Sequence, residues 1–587
     1  MNPIRSGPLQ RLFAIAAVLV LLLGLVPTAD AADALAGADL TRLEPALQSA
    51  LQQDRRRDRI RVIVQREPAR DRNEKRLRER EVEVDLRNEG GQINDRLGLL
   101  EGHVVTLSSR AIAKLSRDKR IKAISLDHEV QLAQLSTVPL VNTATNLPGG
   151  LLSMQTATAN APQVWSTYGL DGSGVTVAVI DSGVAPSADL SNLAFGVDLS
   201  TGTTAPADRG GHGSHVAGIV AGNGTLSAGV YKGVATGARI LSVKVTTDDG
   251  HASYAGIIKG LQWVIANKKA QNIRVVNMSL GAPASAGYTD DPLDAAAEIA
   301  WFRGIAVVAS AGNSGPGPAT VVVPGNDPYL ITVGAYDDAQ TAATADDLIP
   351  DWSSRGPTPF DGLAKPDLVA SGRRVISLRS PGSFLDALMP DRVEGGGQYF
   401  RLSGTSMAAP VVAGVAALIL QANPGLTPNQ VKYILKQTAR PMAGGASTVG
   451  AGAVDALAAV KLARQGVGEG KANKGQTPNR KTATAVWPVV RTLAPVWRNK
   501  GWWMGRYWSD AGWDQTSGFR TANGSWDDAG WDALAWANFN WEDAGWDDAG
   551  WDNAGWDALT WSDAGWDSGG WDSADWDSAS SNGAIAD

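Results

Sequence analysis

Four short stretches of this sequence carry side chains suited to acyl transfer, each at the end of an apolar run. Val175–Ile180 ends in Asp181-Ser182-Gly183, so a carboxylate stands where a buried strand would emerge and a glycine lets the chain turn. Gly210-Gly211-His212-Gly213-Ser214-His215-Val216-Ala217-Gly218 places a histidine among glycines at the start of an apolar helical run, where His212 can act as a base. Gly404-Thr405-Ser406-Met407-Ala408-Ala409-Pro410 leads into Val411–Leu420, which is apolar all round, as in a buried helix. Ser406 falls on the first turn of that helix. Its hydroxyl there lies near unpaired N–H groups and the positive end of the helix dipole, which favour the oxyanion formed when a serine attacks a carbonyl. After the apolar run Ile305–Ser310 comes Ala311-Gly312-Asn313-Ser314-Gly315, in which Asn313 can present an amide N–H₂ as a second oxyanion donor.

Each residue also has an ordinary role open to it. Asp181 and Asn313 suit turns, and Ser406 suits an N-cap. His212 and His215 could ligate a metal, although a spacing of three is not the four of HExxH and no third ligand is evident. His215 is expected to be a satisfied structural histidine. A non-catalytic chain requires all of these ordinary roles at once.

The elements that must position these groups follow an α/β pattern. Val175–Ile180, Arg239–Val245, Ile273–Ser279 and Ile305–Ser310 are β-branched runs without polar alternation, as expected of strands covered on both faces. Helical segments near Val216–Ala221, Tyr254–Asn267 and Leu293–Phe302 fall between them. Strands alternating with helices predict a doubly wound, mainly parallel sheet, with functional groups at the carboxyl ends of its strands.

Asp181-Ser182-Gly183, the His212–Gly218 stretch and the Gly404–Pro410 stretch, in that order, resemble the three signatures of the subtilisin-like serine proteases, the subtilase family. The resemblance spans roughly residues 160–465 and extends to Asn277-Met278-Ser279-Leu280-Gly281, Ser353-Ser354-Arg355-Gly356-Pro357 and Lys365-Pro366-Asp367. It implies a serine endopeptidase in which Asp181 supports His212, His212 takes the proton of Ser406, and Asn313 holds the oxyanion with the Ser406 N–H. It further implies that Ser279, Leu280 and Gly281 pair with an extended substrate. Gly312, with Ala311 and Val321–Pro324, would wall the pocket for the residue before the cut, giving an uncharged preference there. Ser214, Ser371-Gly372 and an extra stretch, Asp386–Gln398, depart mildly from the family pattern, and the last could reshape the rim of the site. No cofactor is needed for this chemistry, while structural calcium cannot be read from the residues.

Around this domain the chain divides further. Arg5 and Arg11 precede the apolar run Leu12–Val26 and the small residues Thr28–Ala32, the form of a secretory signal over residues 1–31, which implies a secreted protein. Residues 33–135 alternate strands at Arg61–Gln65, Val104–Leu107 and Ile121–Leu126 with helices at Asp71–Asn88 and Ser109–Arg117, a small α+β domain. By resemblance this domain is a propeptide that templates folding and inhibits the enzyme until cut off within 134–160. Residues 136–160 are expected to be an exposed linker, 161–465 the catalytic domain, and 466–500 a second linker.

Residues 501–587 hold 17 acidic against 2 basic residues, a charge of −15, so the rest of this chain of net charge −7 is only mildly basic and nucleic-acid binding has little support. Tryptophan recurs every five residues from Trp526 to Trp576. Five residues advance a helix by about 140° beyond a full turn and alternate the faces of a strand, so neither element yields one tryptophan stripe. A flexible acidic segment of aromatic stickers and a solenoid of five-residue coils both remain open. Such a tail suits cation–π capture of basic partners or stacking on sugars, with retention at the cell surface as the functional corollary. The alternative function is an inactive surface adhesin acting through the tail. The absence of cysteine excludes thiol nucleophiles, disulfide scaffolds and Cys-ligated metals. Protein or peptide substrates, the chain's own propeptide and a monomeric state complete the expectations.

Overall fold

The computed structural model describes residues 37–479 except 54–58, 68–71, 133–153, 201–206, 342, 469–471 and 474–475, together with 511–512 and 520–521. The expected signal segment, most of both linkers and nearly all of the tryptophan-rich tail lie outside the described residues.

The N-terminal domain runs α1 (Pro45–Gln53), β1 (Arg59–Arg66), α2 (Arg72–Asn88), β2 (Gln92–Leu97), β3 (Gly102–Ser108), α3 (Ser109–Leu115) and β4 (Ile121–Leu126). Its four strands form an antiparallel sheet in the order β2-β3-β1-β4. The period-2 alternation of strand side chains divides their contacts between two cores. Val62 and Val64 of β1 and Val105 and Leu107 of β3 pack with α1, α2 and α3 in the domain's own core. Ile63 and Val104, on the opposite face, join Leu97, Leu99 and Leu100 in the core of the domain that follows.

The chain then forms β5 (Glu129–Leu132) and, after the segment 133–153, α4 (Met154–Thr158) and α5 (Ala161–Tyr168). Here the expectation of an exposed linker through residue 160 is corrected. Met154, Thr156 and Thr158 are buried, so this end of the stretch belongs to the packed domain.

The larger domain continues with β6 (Thr176–Asp181), β7 (Leu193–Asp198), α6 (His212–Ala221), β8 (Arg239–Lys244), β9 (His251–Ser253), α7 (Tyr254–Ala266), β10 (Ile273–Met278) and β11 (Leu280–Gly281). Farther on come, among others, α8 (Pro292–Phe302), β12 (Ala306–Ser310), β13 (Ile331–Tyr336), β14 (Leu368–Ser371), α9 (Phe384–Leu388) and α10 (Thr405–Ala422). Seven strands form one sheet in the order β14-β13-β12-β10-β6-β8-β7, and every pairing in it is parallel. All residues of β6, β12 and β13 are buried, which explains their continuous apolar sequence. Helix α10 is buried from Thr405 to Leu420 and packs on β10, β12, β13, β14 and α6. The doubly wound α/β architecture expected from the strand and helix order is therefore the one observed.

The two domains meet along α7 and α8. Asp127 Oδ1 accepts from Ala255 N at 2.8 Å in the first turn of α7, Lys259 bonds Asp95 at 2.6 Å, and Gln262 Oε1 accepts from Leu99 N at 3.0 Å. Glu44 binds both Ser285 and His128, and Tyr254 packs on the His128 ring. Strand β5 then enters the larger domain between β9 and β11, pairing antiparallel with both.

Candidate active site

Asp181 is the last residue of β6, the strand between β8 and β10, and His212 is the first residue of α6. Two glycines let these ends approach. A Cβ on Gly213 would stand 2.0 Å from the carbonyl of Gly183, and Gly183 itself, at φ +106°, would meet Ala207 O at 2.3 Å. His212 Nδ1 donates to Asp181 Oδ1 at 2.8 Å, and that oxygen also accepts from Ser182 N at 2.7 Å. Both side chains are fully buried. Burial opposes charge on the imidazole, but the Asp181 carboxylate and, farther off, Asp208 outweigh it and raise the pKa of His212 above the ordinary histidine value. With Nδ1 donating, Nε2 carries the lone pair, as a general base requires.

Helix α6 begins four residues earlier than its apolar pattern suggests, with Gly211 as its N-cap residue and the Asp208 carboxylate, three residues ahead, accepting from its first backbone N–H groups. The Asp208 carboxylate accepts from Gly211 N and Ser214 N, each at 2.7 Å, and from Ser182 Oγ at 2.7 Å. Ser182 Oγ in turn accepts from Gly213 N. Asp208 was not foreseen, because it lies three residues ahead of the N-cap residue Gly211, outside the usual capping position. His215, on the same helix, is structural as expected. Its Nε2 lies 2.9 Å from Phe400 O and 3.2 Å from Val375 O, and burial, aided by the nearby His212, pushes its pKa down to about 3.

Ser406 sits in the first turn of α10, which packs on α6. Its hydroxyl donates to Ser279 O at 3.1 Å, and His212 Nε2 is buried without a hydrogen-bond partner among the described residues. The structure thus joins Asp181 to His212 and holds the Ser406 hydroxyl on the carbonyl just before β11.

Pro410 explains the second link between these segments. Lacking an N–H, it cannot bond the carbonyl four residues back, which is that of Ser406. Ser279 Oγ donates to that carbonyl at 2.9 Å and itself accepts from Asn277 Nδ2 at 2.9 Å. The proline at the end of the serine motif therefore frees an acceptor that ties the helix to β11, a role invisible in the motif alone.

Asn313 stands just beyond β12. Its Oδ1 accepts from Thr405 N and Thr405 Oγ1, both at 2.9 Å, an orientation the amide N–H₂ could not replace. The amide nitrogen is thereby turned toward Gly404, where a Cβ would come within 3.2 Å of it. Leu280 and Gly281 form β11, paired with β5, while Gly281 and Gly312 both press on Val322. The Ser353–Pro357 match supports this wall, since Ser354 N donates to Gly312 O at 3.0 Å and Ser354 Oγ accepts from Ser314 N. Lys365 and Asp367 are instead a buried ion pair bonded to Thr332 on β13.

Residues 172–470 match the Subtilase family. Serine protease AprX of Bacillus subtilis (strain 168) is 47% identical over 274 residues, which span 46% of this chain and 61% of AprX. The M-protease of Shouchella clausii (strain KSM-K16) is 34% identical over 383 residues, 65% of this chain and 83% of that enzyme. Fervidolysin from Fervidobacterium pennivorans, described as a keratinolytic enzyme related to subtilisin, superposes with a TM-score of 0.53 at 22% identity, covering 70% of this chain and 62% of fervidolysin. At that identity the likeness speaks for the fold. With a family match over half its length and an alignment over most of M-protease, this chain belongs to the subtilase family, the subtilisin-like serine endopeptidases.

Proposed function

We propose that the protein is an exported endopeptidase made as a zymogen, in which the N-terminal domain, expected over residues 33–135 and here taken to end at Ala133, is the propeptide and Ser406, His212 and Asp181 cut it from the enzyme. The observation that carries this reading is the seat of β5. Leu132 pairs with Leu280 and Gln131 with Gly281, antiparallel, and the same register continued by one residue would set the next residue of a bound chain opposite Ser279, whose carbonyl holds the Ser406 hydroxyl. An extended peptide added to a strand edge is bound through its backbone, which suits an enzyme that accepts many sequences. The register thus favours the bond between Ala133 and Gln134, at the edge of the stretch expected to be cut. Ala133 also has the small uncharged side chain that the wall of Gly312 and Val322 would admit. The leader-like segment 1–31 supports export.

In this mechanism the Ser406 hydroxyl turns from Ser279 to His212, gives Nε2 its proton and attacks the carbonyl of residue 133. Asn313 Nδ2 and the Ser406 N–H receive the oxyanion. His212 then passes the proton to the departing nitrogen of Gln134, leaving an acyl-enzyme on Ser406 that water hydrolyses by the same proton path. These steps use only side chains and backbone.

Purified wild-type protein should begin at Gln134, as read by N-terminal sequencing and intact mass, and should react covalently with a fluorophosphonate at Ser406. A mature chain starting well downstream of 134, or no labelling, would overturn the respective part. Asn313→Leu should lower kcat about 10²–10³-fold with little change in KM, a magnitude known from subtilisin itself rather than drawn from this geometry. Steady-state kinetics on one peptide substrate checks it, and a change confined to KM would remove Asn313 from the oxyanion site.

A further inference from the structure

Strand β5 also reveals a subsite next to the histidine loop. Leu132 donates its N–H to Gly250 O at 3.1 Å, and its side chain lines a cleft of about 140 Å³ with Gly250, His251, Phe384, Leu385 and Leu388. The last three belong to α9, which leads into the stretch Asp386–Gln398 that departs from the family pattern. Leu385 is buried and anchors the helix, while Phe384 and Leu388 stand 44% and 59% exposed at the rim. Large apolar side chains so exposed beside a cleft mark a surface that gains from being covered.

Helix α9 is fixed to the loop that presents His212. Phe384 N donates to Arg209 O at 2.7 Å, Leu385 N to Gly210 O at 3.1 Å, and Ser380 Oγ to Asp208 O at 2.6 Å. Arg379 grips Asp386 through two nitrogens, and Ser383 caps the helix by accepting from Asp386 N. Gly250, at φ +90°, keeps the opposite side open, since a Cβ there would press within 3.2 Å of Leu132 Cδ1.

We propose that α9, through Phe384 and Leu388, forms an apolar wall of the subsite for the second residue before the scissile bond, and selects a branched or aromatic side chain there. This inference rests on β5 lying in substrate register, as proposed above. Leu132 is the occupant seen, and the space left beside it admits a ring.

The test uses mature enzyme and quenched peptides Val-Gln-X-Ala-Gln-Leu, the chain's own residues 130–135 with X in place of Leu132. Wild type should cleave the Ala–Gln bond with kcat/KM about ten-fold or more higher for X = Leu or Phe than for X = Gly, within the range an apolar pocket delivers. In the Phe384→Ser/Leu388→Ser variant this ratio should fall at least about five-fold. Leu388→Ser alone, at the more exposed position, should lower it in the same direction and guards against a folding defect in the double variant. An unchanged ratio with cleavage still at Ala–Gln overturns the α9 wall and leaves the protease assignment intact. Cleavage of these peptides at another bond overturns the register and the wall with it, and no cleavage of any peptide counts against the assigned activity itself.

Discussion

Ser406→Ala should leave the purified chain uncut, running at the mass of the unprocessed form, while wild type loses its N-terminal domain under the same conditions. Processing and turnover share one nucleophile in the proposed mechanism, so both must vanish together. On a peptide substrate kcat should drop roughly 10⁶-fold, the loss known for subtilisin's own serine. The substitution is structurally mild. Ser406 Oγ bonds Ser279 O, and the bond from Ser279 Oγ to the Ser406 carbonyl is unaffected by the side chain. Comparison of intact masses with no other protease present decides the matter, and a processed Ser406→Ala chain would show that another enzyme performs the cut.

Asp181→Asn should lower kcat about 10⁴-fold while the fold survives, a figure again typical of serine proteases as a class. The carboxylate accepts the Nδ1 proton of His212 and so leaves Nε2 as the basic nitrogen. An amide in its place can donate to Nδ1 instead, which puts the proton on Nε2 and disables the base. The pH profile gives an independent check. Only neutral imidazole can take the serine proton, and Asp181 raises the His212 pKa against the opposing pull of burial. In wild type, kcat/KM should therefore rise with pH through a single step lying above the ordinary histidine value of 6.5. In Asp181→Asn the residual activity should show that step displaced to lower pH. A wild-type acid limb below 6.5, or one that the substitution does not move, would contradict the proposed pairing.

Much of the fold could be read in the sequence because buried parallel strands announce themselves. Ile273–Ser279 and Ile305–Ser310 were expected within a residue of β10 and β12, and α8 was expected from Leu293 where it begins at Pro292. What escaped notice depends on partners distant in the chain. Strand β2 reads Gln-Ile-Asn-Asp-Arg-Leu, an edge strand with only Leu97 buried, and its polar sequence carries little periodic signal. The end of the expected linker looks like loop, yet Met154 and Thr158 are buried once the larger domain assembles around them. In the site itself, residue types and motif order identify Asp181, His212, Ser406 and Asn313. They do not disclose Asp208 as the acceptor at the start of α6, nor the Ser279 hydroxyl that occupies the carbonyl released by Pro410. Those contacts are made between segments 127 residues apart or between a carboxylate and bare backbone, for which local pattern has no vocabulary.

The two-sided sheet of the N-terminal domain has a consequence for the proposed cleavage. Ile63, Leu97, Leu99, Leu100 and Val104 pack into the neighbour's core rather than their own, a cover worth up to about 1.5–3 kcal/mol each. A freed fragment would carry these residues bare to water, less able to hold its shape and more open to proteolysis. Departure would thus tend to be one-way, with the discarded piece consumed rather than returning to its seat.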